Sequence, residues 1–211
     1  EVSVCVAWHT SGVATFEDAQ KTQIVVGTGG ISDDTFQYPA ILNNMFGAKF
    51  KMVSGYPGGN DINLAMERGE VQGRCSIPWS TVKATRRFWI DEKKVNLLMQ
   101  YSLGKHADLP NVPLVMDLAK TDEQRNILKL IFSRQVMGRP FAAPPDVPKD
   151  RVAALRKAFT DTMVDKDFLA DAAKAKFEIT PVSGDRIESL VLDVYRNTTP
   201  ALAEKAGAMM K

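Results

Sequence analysis

Cysteine and histidine are scarce in this sequence: the 211 residues hold two of each. Cys5 and Cys75 supply neither the roughly four clustered ligands of a structural zinc site nor a Cys-x-x-Cys redox pair. Two readings stay open for them, a disulfide in an oxidising compartment or two buried thiols acting as small apolar side chains. His9 and His106 fall in polar, turn-like contexts, and no serine or cysteine nucleophile motif stands beside either. Neither an enzyme nor a metal or organic cofactor is therefore expected. Charge of one sign is lacking too, with 27 Lys and Arg against 25 Asp and Glu and a net charge of +2. That is not the basic excess of a chain that holds a phosphate backbone, so nucleic acid is not an expected partner. Long apolar runs are missing as well: none approaches the ~20 residues of a membrane-spanning helix. The apolar start (Val2, Val4, Val6, Trp8) is too short for a signal peptide and lacks its charged flank. Since the chain opens on Glu1 inside a strand-like pattern, an upstream piece that includes a signal peptide is expected. Low-complexity tracts and repeats of fixed period are missing, which excludes a solenoid.

What is present is an apolar content of 45%, enough for a substantial core. From Gln23 to about Gln100, short apolar runs alternate with glycine-rich turns and amphipathic segments, the pattern of βαβ units. Ile24, Val25 and Val26 lead into Gly27-Thr28-Gly29-Gly30. Ser32 is then placed to cap a helix carrying Phe36, Ile41 and Met45 and ending at Gly47, with Pro39 marking a kink or a late start. The next unit repeats the scheme, with a strand over residues 50–54, a turn at Gly55-Tyr56-Pro57-Gly58-Gly59, and Asn60 as the cap of a helix bearing Ile62, Ala65 and Met66. Residues 71–75 and 95–99 read as further strands, on either side of a short helix near residues 79–86. Beyond Tyr101 come a proline-punctuated connector, a short helix near residues 114–119, and a helix opened by the capping-box pattern Thr121-x-x-Gln124. Later helices follow Pro148, span residues 165–176, follow Ser183, and run from Thr199 to Ala208. Residues 139–143 and 178–180 read as short strands.

The two glycine-rich turns, at residues 27–33 and 55–61, point free backbone N–H groups and helix N-termini toward one place. In open α/β sheets that place, outside the carboxyl ends of the strands, is where ligands sit, and its natural occupant is an anion. Gly27-Thr28-Gly29 begins like a dinucleotide fingerprint, but Ser32 stands where the third glycine belongs, and no Gly-Lys-Ser/Thr follows the second turn. Asp33, Asp34 and Asp61 have two readings: stabilisers of helix N-termini, or partners for an ammonium or hydroxyl on the ligand. Tyr56, Trp79 and Trp89 likewise read either as flat walls for a ligand or as core.

The run Gly55-Tyr56-Pro57-Gly58-Gly59-Asn60-Asp61-Ile62-Asn63-Leu64-Ala65-Met66-Glu67-Arg68-Gly69-Glu70-Val71 resembles the solute receptors of tripartite tricarboxylate transporters, the Bug-type extracytoplasmic receptors. Residues 27–33, 108–113 and 140–148 follow in that family's order, so the resemblance covers the chain from about Val2. It implies an α/β fold of the type II periplasmic-binding-protein kind, with two lobes of which the first is incomplete here. Residues 1–9 would be a crossover strand, 10–94 the second α/β lobe, and 95–211 the return crossover and the C-terminal part of the first lobe. It also implies a periplasmic protein that captures a small carboxylate and hands it to membrane transporter subunits. Gly27, Thr28, Gly29, Gly30, Ser32 and Asp33 would form the carboxylate-facing loop, and Tyr56 and Trp79 would line the cleft. The effector-sensing domain of a transcription regulator, which shares this fold, is the alternative. With the first lobe incomplete, the apolar stripes of the helices beyond residue 114 would be covered by another copy of the chain or by an improvised core with the strands at 139–143 and 178–180.

Overall fold

A computed structural model describes residues 1–175 and 177–211. The elements run β1 (Ser3–Trp8), α1 (Phe16–Lys21), β2 (Ile24–Thr28), α2 (Asp34–Phe46), β3 (Phe50–Ser54), α3 (Gly59–Glu67), β4 (Gly73–Pro78), α4 (Trp79–Thr85), α5 (Arg87–Asp91) and β5 (Val95–Tyr101). Helices follow: α6 (Asp122–Phe132), α7 (Lys149–Thr162), α8 (Lys166–Lys174), α9 (Gly184–Asn197) and α10 (Pro200–Met209), with 3₁₀ turns at Val115–Leu118 and Ser133–Gln135.

Five strands form one mixed sheet in the order β3-β2-β4-β1-β5. β2 pairs in parallel with β3 and β4, whereas β1 is antiparallel to both β4 and β5. The carboxyl ends of β2, β3, β4 and β5 therefore share one edge of the sheet with the amino end of β1. β1 lies inside the sheet, and β5 extends that sheet beyond residue 94, so the sheet draws no boundary there.

Side-chain alternation explains the two layers. On β1, Val4 and Val6 face a core with Met66, Trp79, Val82 and Trp89 from α3, α4 and α5. Cys5 and Ala7 face the opposite core with residues of α1, α2, α6 and α10, including Phe16, Ile41, Phe132 and Ala206. On β4 the alternation breaks: Cys75 and Ile77 are two apart and should share a face, yet they lie in opposite cores. The cause is Ser76, whose φ of 64° sits at a register shift against β1. Such an irregularity re-aims the side chains beside it. Cys5 and Cys75, on neighbouring strands, are disulfide-bonded, which closes the choice that composition left open.

Several local expectations are corrected. Asp33, not Ser32, caps α2, because its carboxylate accepts from the Thr35 amide at 2.8 Å and the Thr35 hydroxyl at 2.6 Å. The helix begins ahead of Pro39 and continues through it. Gly58, in extended backbone, takes the cap position of α3 in place of Asn60, and its carbonyl receives the Asp61 and Ile62 amides. The third strand starts at Gly73 rather than at Val71. Residues 139–143 and 178–180 are not strands; they belong to none of the sheet's five strands, so no ladder stabilises extended backbone there. At Thr121 only half of the capping box forms: its hydroxyl accepts from Gln124 N–H, while Gln124 turns to the Lys120 amide. The expected helix over 165–176 is α8; Lys176 lies outside the described residues.

Among the described residues the improvised core with those strands is absent as well. α6 buries Ile127, Leu128, Ile131 and Phe132, but α7 buries no residue, α8 only Ala172, and α9 only Leu190. Phe141 (89% exposed), Leu155 (61%) and Phe177 (66%) stand in solvent.

Candidate functional site

The carboxyl edge of the sheet carries the candidate site. Its floor is the turn from β2 into α2. Gly27 is buried beneath Ile62 and Tyr56, and a methyl group there would come within 2.7 Å of Ile62 Cγ2 and 3.2 Å of the Tyr56 ring. Thr28 is fully buried, its hydroxyl 2.9 Å from the Ser54 hydroxyl, so it ties β2 to β3. Gly29 donates its amide to the Thr35 hydroxyl at 2.9 Å and packs against the Asp33 carboxylate. The amides of Gly30, Ile31 and Ser32 have no acceptor among the described residues. They form the open lip of the turn, with Ile31 and Ser32 exposed.

Beside Asp33 and Asp34 stands a group that the sequence gives no reason to join. Tyr38 on α2 is buried and accepts from Gln135 Nε2 at 2.8 Å and from Arg134 Nε at 3.1 Å, and the Arg134 guanidinium lies over its ring at 5.0 Å from the centroid. Arg134, on the exposed rim, has no carboxylate within ion-pairing distance among the described residues. Asp33, Asp34, Tyr38, Arg134 and Gln135 line an open cleft of about 340 Å³.

Beneath the cleft is Arg74 of β4, 8% exposed, which donates to Gly59 O at 2.7 Å and Asn63 Oδ1 at 2.8 Å. Its Nε and the hydroxyl of the buried Ser76 have no hydrogen-bond partner among the described residues. Burial pulls the Arg74 guanidinium down to about 10, against the opposing pull of Asp34 and Asp33. The two aspartates are pushed apart. Burial and the charge of Asp33 raise the Asp34 carboxyl above its ordinary value. Asp33 is lowered: partial burial pushes it up, but the hydrogen bonds from Thr35 outweigh that.

Of the residues expected at the site, the turn from Gly27 to Asp33 and the Tyr56 that packs on it come together. Trp79 is elsewhere. It packs in the core with Val82 and Trp89 and donates its indole N–H to Asp108 at 3.0 Å, beside Lys83, which pairs with Asp108 and Glu178, and His106, whose Nε2 lies 3.2 Å from Glu178. Trp89 is fully buried and donates to Glu67, which makes it core. Asp34 shares with Asp33 the two readings its place at a helix start allows; Tyr38, Arg74, Ser76, Arg134 and Gln135 carry no sequence signal. Arg134 and Gln135 lie almost a hundred positions from Tyr38 and meet it only through the packing of α6 on the sheet. Among the described residues, no group of three or more His, Cys, Asp or Glu side chains converges to hold a metal ion.

No family model and no curated protein matches the sequence. Solved structures do match. Rpa4515 of R. palustris with adipate superposes with a TM-score of 0.61 at 13% identity, over 99% of this chain. A TctC solute-binding protein from Polaromonas without ligand gives 0.62 at 14% over 99%. MatC from Rhodopseudomonas palustris with bound malate gives 0.59 at 13% over 100%. The chain spans about 65% of the length of the first two and 66% of the third. The fold is thus that of these solute-binding proteins, the α/β class that the resemblance implied.

Proposed function

We propose that this chain belongs to a periplasmic solute receptor that captures a small carboxylate and delivers it to a tripartite tricarboxylate-type membrane transporter. The observation that carries the reading is the Arg134 guanidinium, which lines the cleft with no carboxylate in ion-pairing distance among the described residues, beside a turn whose Gly30, Ile31 and Ser32 amides are free and which runs into Asp33 of that cleft. Free N–H groups at a helix N-terminus and an arginine fork are complementary to a carboxylate, and each charge-assisted hydrogen bond contributes roughly 1.5–3 kcal/mol. A few of them hold a small acid at micromolar affinity after the costs of association. Solved structures of the same fold with adipate and with malate agree with that ligand chemistry. A binding role rather than catalysis fits the lack of a paired nucleophile and base in the cleft.

On this reading residues 10–94 form most of one lobe, completed by β1 and β5 of the same sheet, the chain beyond Tyr101 crosses back into the other, and the protein reaches the periplasm by export. The exposed apolar side chains of α7 and its surroundings then meet a second protein surface, for which a second copy of the chain is the simplest supplier. A thermal-shift screen of mono-, di- and tricarboxylates against neutral sugars tests the function. Stabilisation by one or more carboxylates is expected, and stabilisation by sugars alone would overturn it.

A further inference from the structure

Residues 140–183, which carry α7 and α8, form a strap that the fold scarcely holds. Neither apolar core contains a side chain from it among the described residues. Both of its ends are anchored. Ahead of it, the buried Gln135 donates to the Tyr38 hydroxyl at 2.8 Å. Behind it, α9 is tied to α6 by the Lys129–Asp193 pair, and α10 sinks Ala206 into the core. In between, every hydrogen bond or ion pair among the described residues that joins residues 140–183 to residues 1–135 ends on Glu178.

One oxygen of the Glu178 carboxylate accepts from Lys83 Nζ at 2.8 Å, and the other lies 3.2 Å from His106 Nε2. The His106 ring is set for that contact, because its Nδ1 accepts the Asp108 amide at 3.0 Å and leaves Nε2 to carry the proton. Asp108 completes the group by accepting from Lys83 at 2.8 Å and from the Trp79 indole at 3.0 Å. Lys83 stands in α4 directly after β4, and His106 and Asp108 lie in the loop after β5. The strap is therefore moored at the carboxyl ends of two strands, on the sheet edge that they share with the turn after β2.

We infer that this group is a latch: Glu178 seated on Lys83 and His106 holds the strap against the sheet edge, and its release frees residues 140–183 while the rest stays folded. A segment with few buried apolar contacts opens at a cost well below that of global unfolding, so one polar contact can set its position. A part-exposed ion pair adds little to global stability, and its weight falls on the strap alone. On the two-lobe reading the strap and the sheet belong to different lobes, so the latch is a contact between lobes that biases how they stand. That consequence rests on the receptor reading, whereas the latch itself does not.

Hydrogen exchange of the whole chain, read by peptide mass spectrometry, tests it in wild type, Glu178→Gln, Lys83→Met and the double variant. Exchange across α7 and α8 is expected to quicken about threefold in Glu178→Gln, while β1, β4 and α6 keep wild-type rates. The double variant is expected to exchange no faster there than Glu178→Gln, because both residues act through one contact. Salt at about 1 M is expected to quicken the strap in wild type and to leave Glu178→Gln unchanged. Unaltered exchange of α7 and α8 in Glu178→Gln would overturn the inference, as would faster exchange in every element, which would make Glu178 a support of the whole fold. No ligand enters these measurements, so their failure leaves the carboxylate screen standing, and failure of the screen leaves the latch.

Discussion

Asp34 shows how a residue lining the candidate cleft costs stability. Its carboxyl is raised above the ordinary value of 3.8 by burial and by Asp33. As pH rises, the unfolded chain therefore ionises first, and stability is lost through the window between the ordinary and the raised value. The native protein carries that loss at pH 7. Asp34→Asn is thus expected to raise the melting temperature at pH 7 and to leave it nearly unchanged at pH 3, where the carboxyl is protonated in both states. Equal melting temperatures at both pH values would contradict the assignment. Arg134 sits on the exposed rim with its side chain only partly engaged. Arg134→Ala is expected to leave stability within about 0.5 kcal/mol and to weaken carboxylate binding by roughly tenfold or more, read by titration.

At the scale of elements, the Cys5–Cys75 bond joins β1 to β4 across 70 positions. The chain-entropy account puts closing a loop of that size at roughly 4 kcal/mol, and strain or residual structure usually trims it. Reduction, or the Cys5→Ala/Cys75→Ala pair, is expected to lower the unfolding free energy, read from urea denaturation, by about 2–4 kcal/mol. A second tie is Lys83 of α4, which bridges Asp108 and Glu178 at 2.8 Å each. The Lys83 hydrogen bond is the first cause holding both carboxyls below their ordinary values. The support they give is therefore complete above the ordinary carboxylate values near 4 and is lost as pH falls through the depressed ones. In Lys83→Met the acid side of the stability profile is expected to flatten, a change too small to exceed about 1 kcal/mol for so exposed a group.

What was legible in the sequence were the elements whose signal is local. The β-branched run before Gly27 and the turn at Gly55 located β2, α2, β3 and α3, because a strand, a tight turn and an amphipathic helix each declare themselves over a few residues. The residues that complete the cleft were not legible. Ser76 is aimed by an irregularity against β1, and Arg134 arrives from beyond α6, so neither has a neighbour in sequence that predicts its neighbours in space. The strands read at 139–143 and 178–180 failed for the complementary reason: a short apolar run needs a pairing edge, which tertiary structure alone supplies.

At the scale of the molecule, the first 135 residues hold nearly all of the buried core, whereas α7, α8 and α9 together contribute Ala172 and Leu190. Leu155, Phe177, Tyr195 and Phe141 stand 61–89% exposed, and the proposed second copy would bury them. Light scattering on the purified chain is expected to give a mass above the 23.3 kDa of one copy, and a monodisperse single copy would contradict coverage by a second one. The central claim is that a carboxylate sits between the turn after β2 and Arg134. The most direct measurement is a crystal structure of the chain with the most stabilising carboxylate of the screen. A carboxylate oxygen within hydrogen-bonding distance of the Gly30–Ser32 amides and of the Arg134 guanidinium is the result expected; a ligand bound elsewhere, with that cleft holding only water, would contradict it.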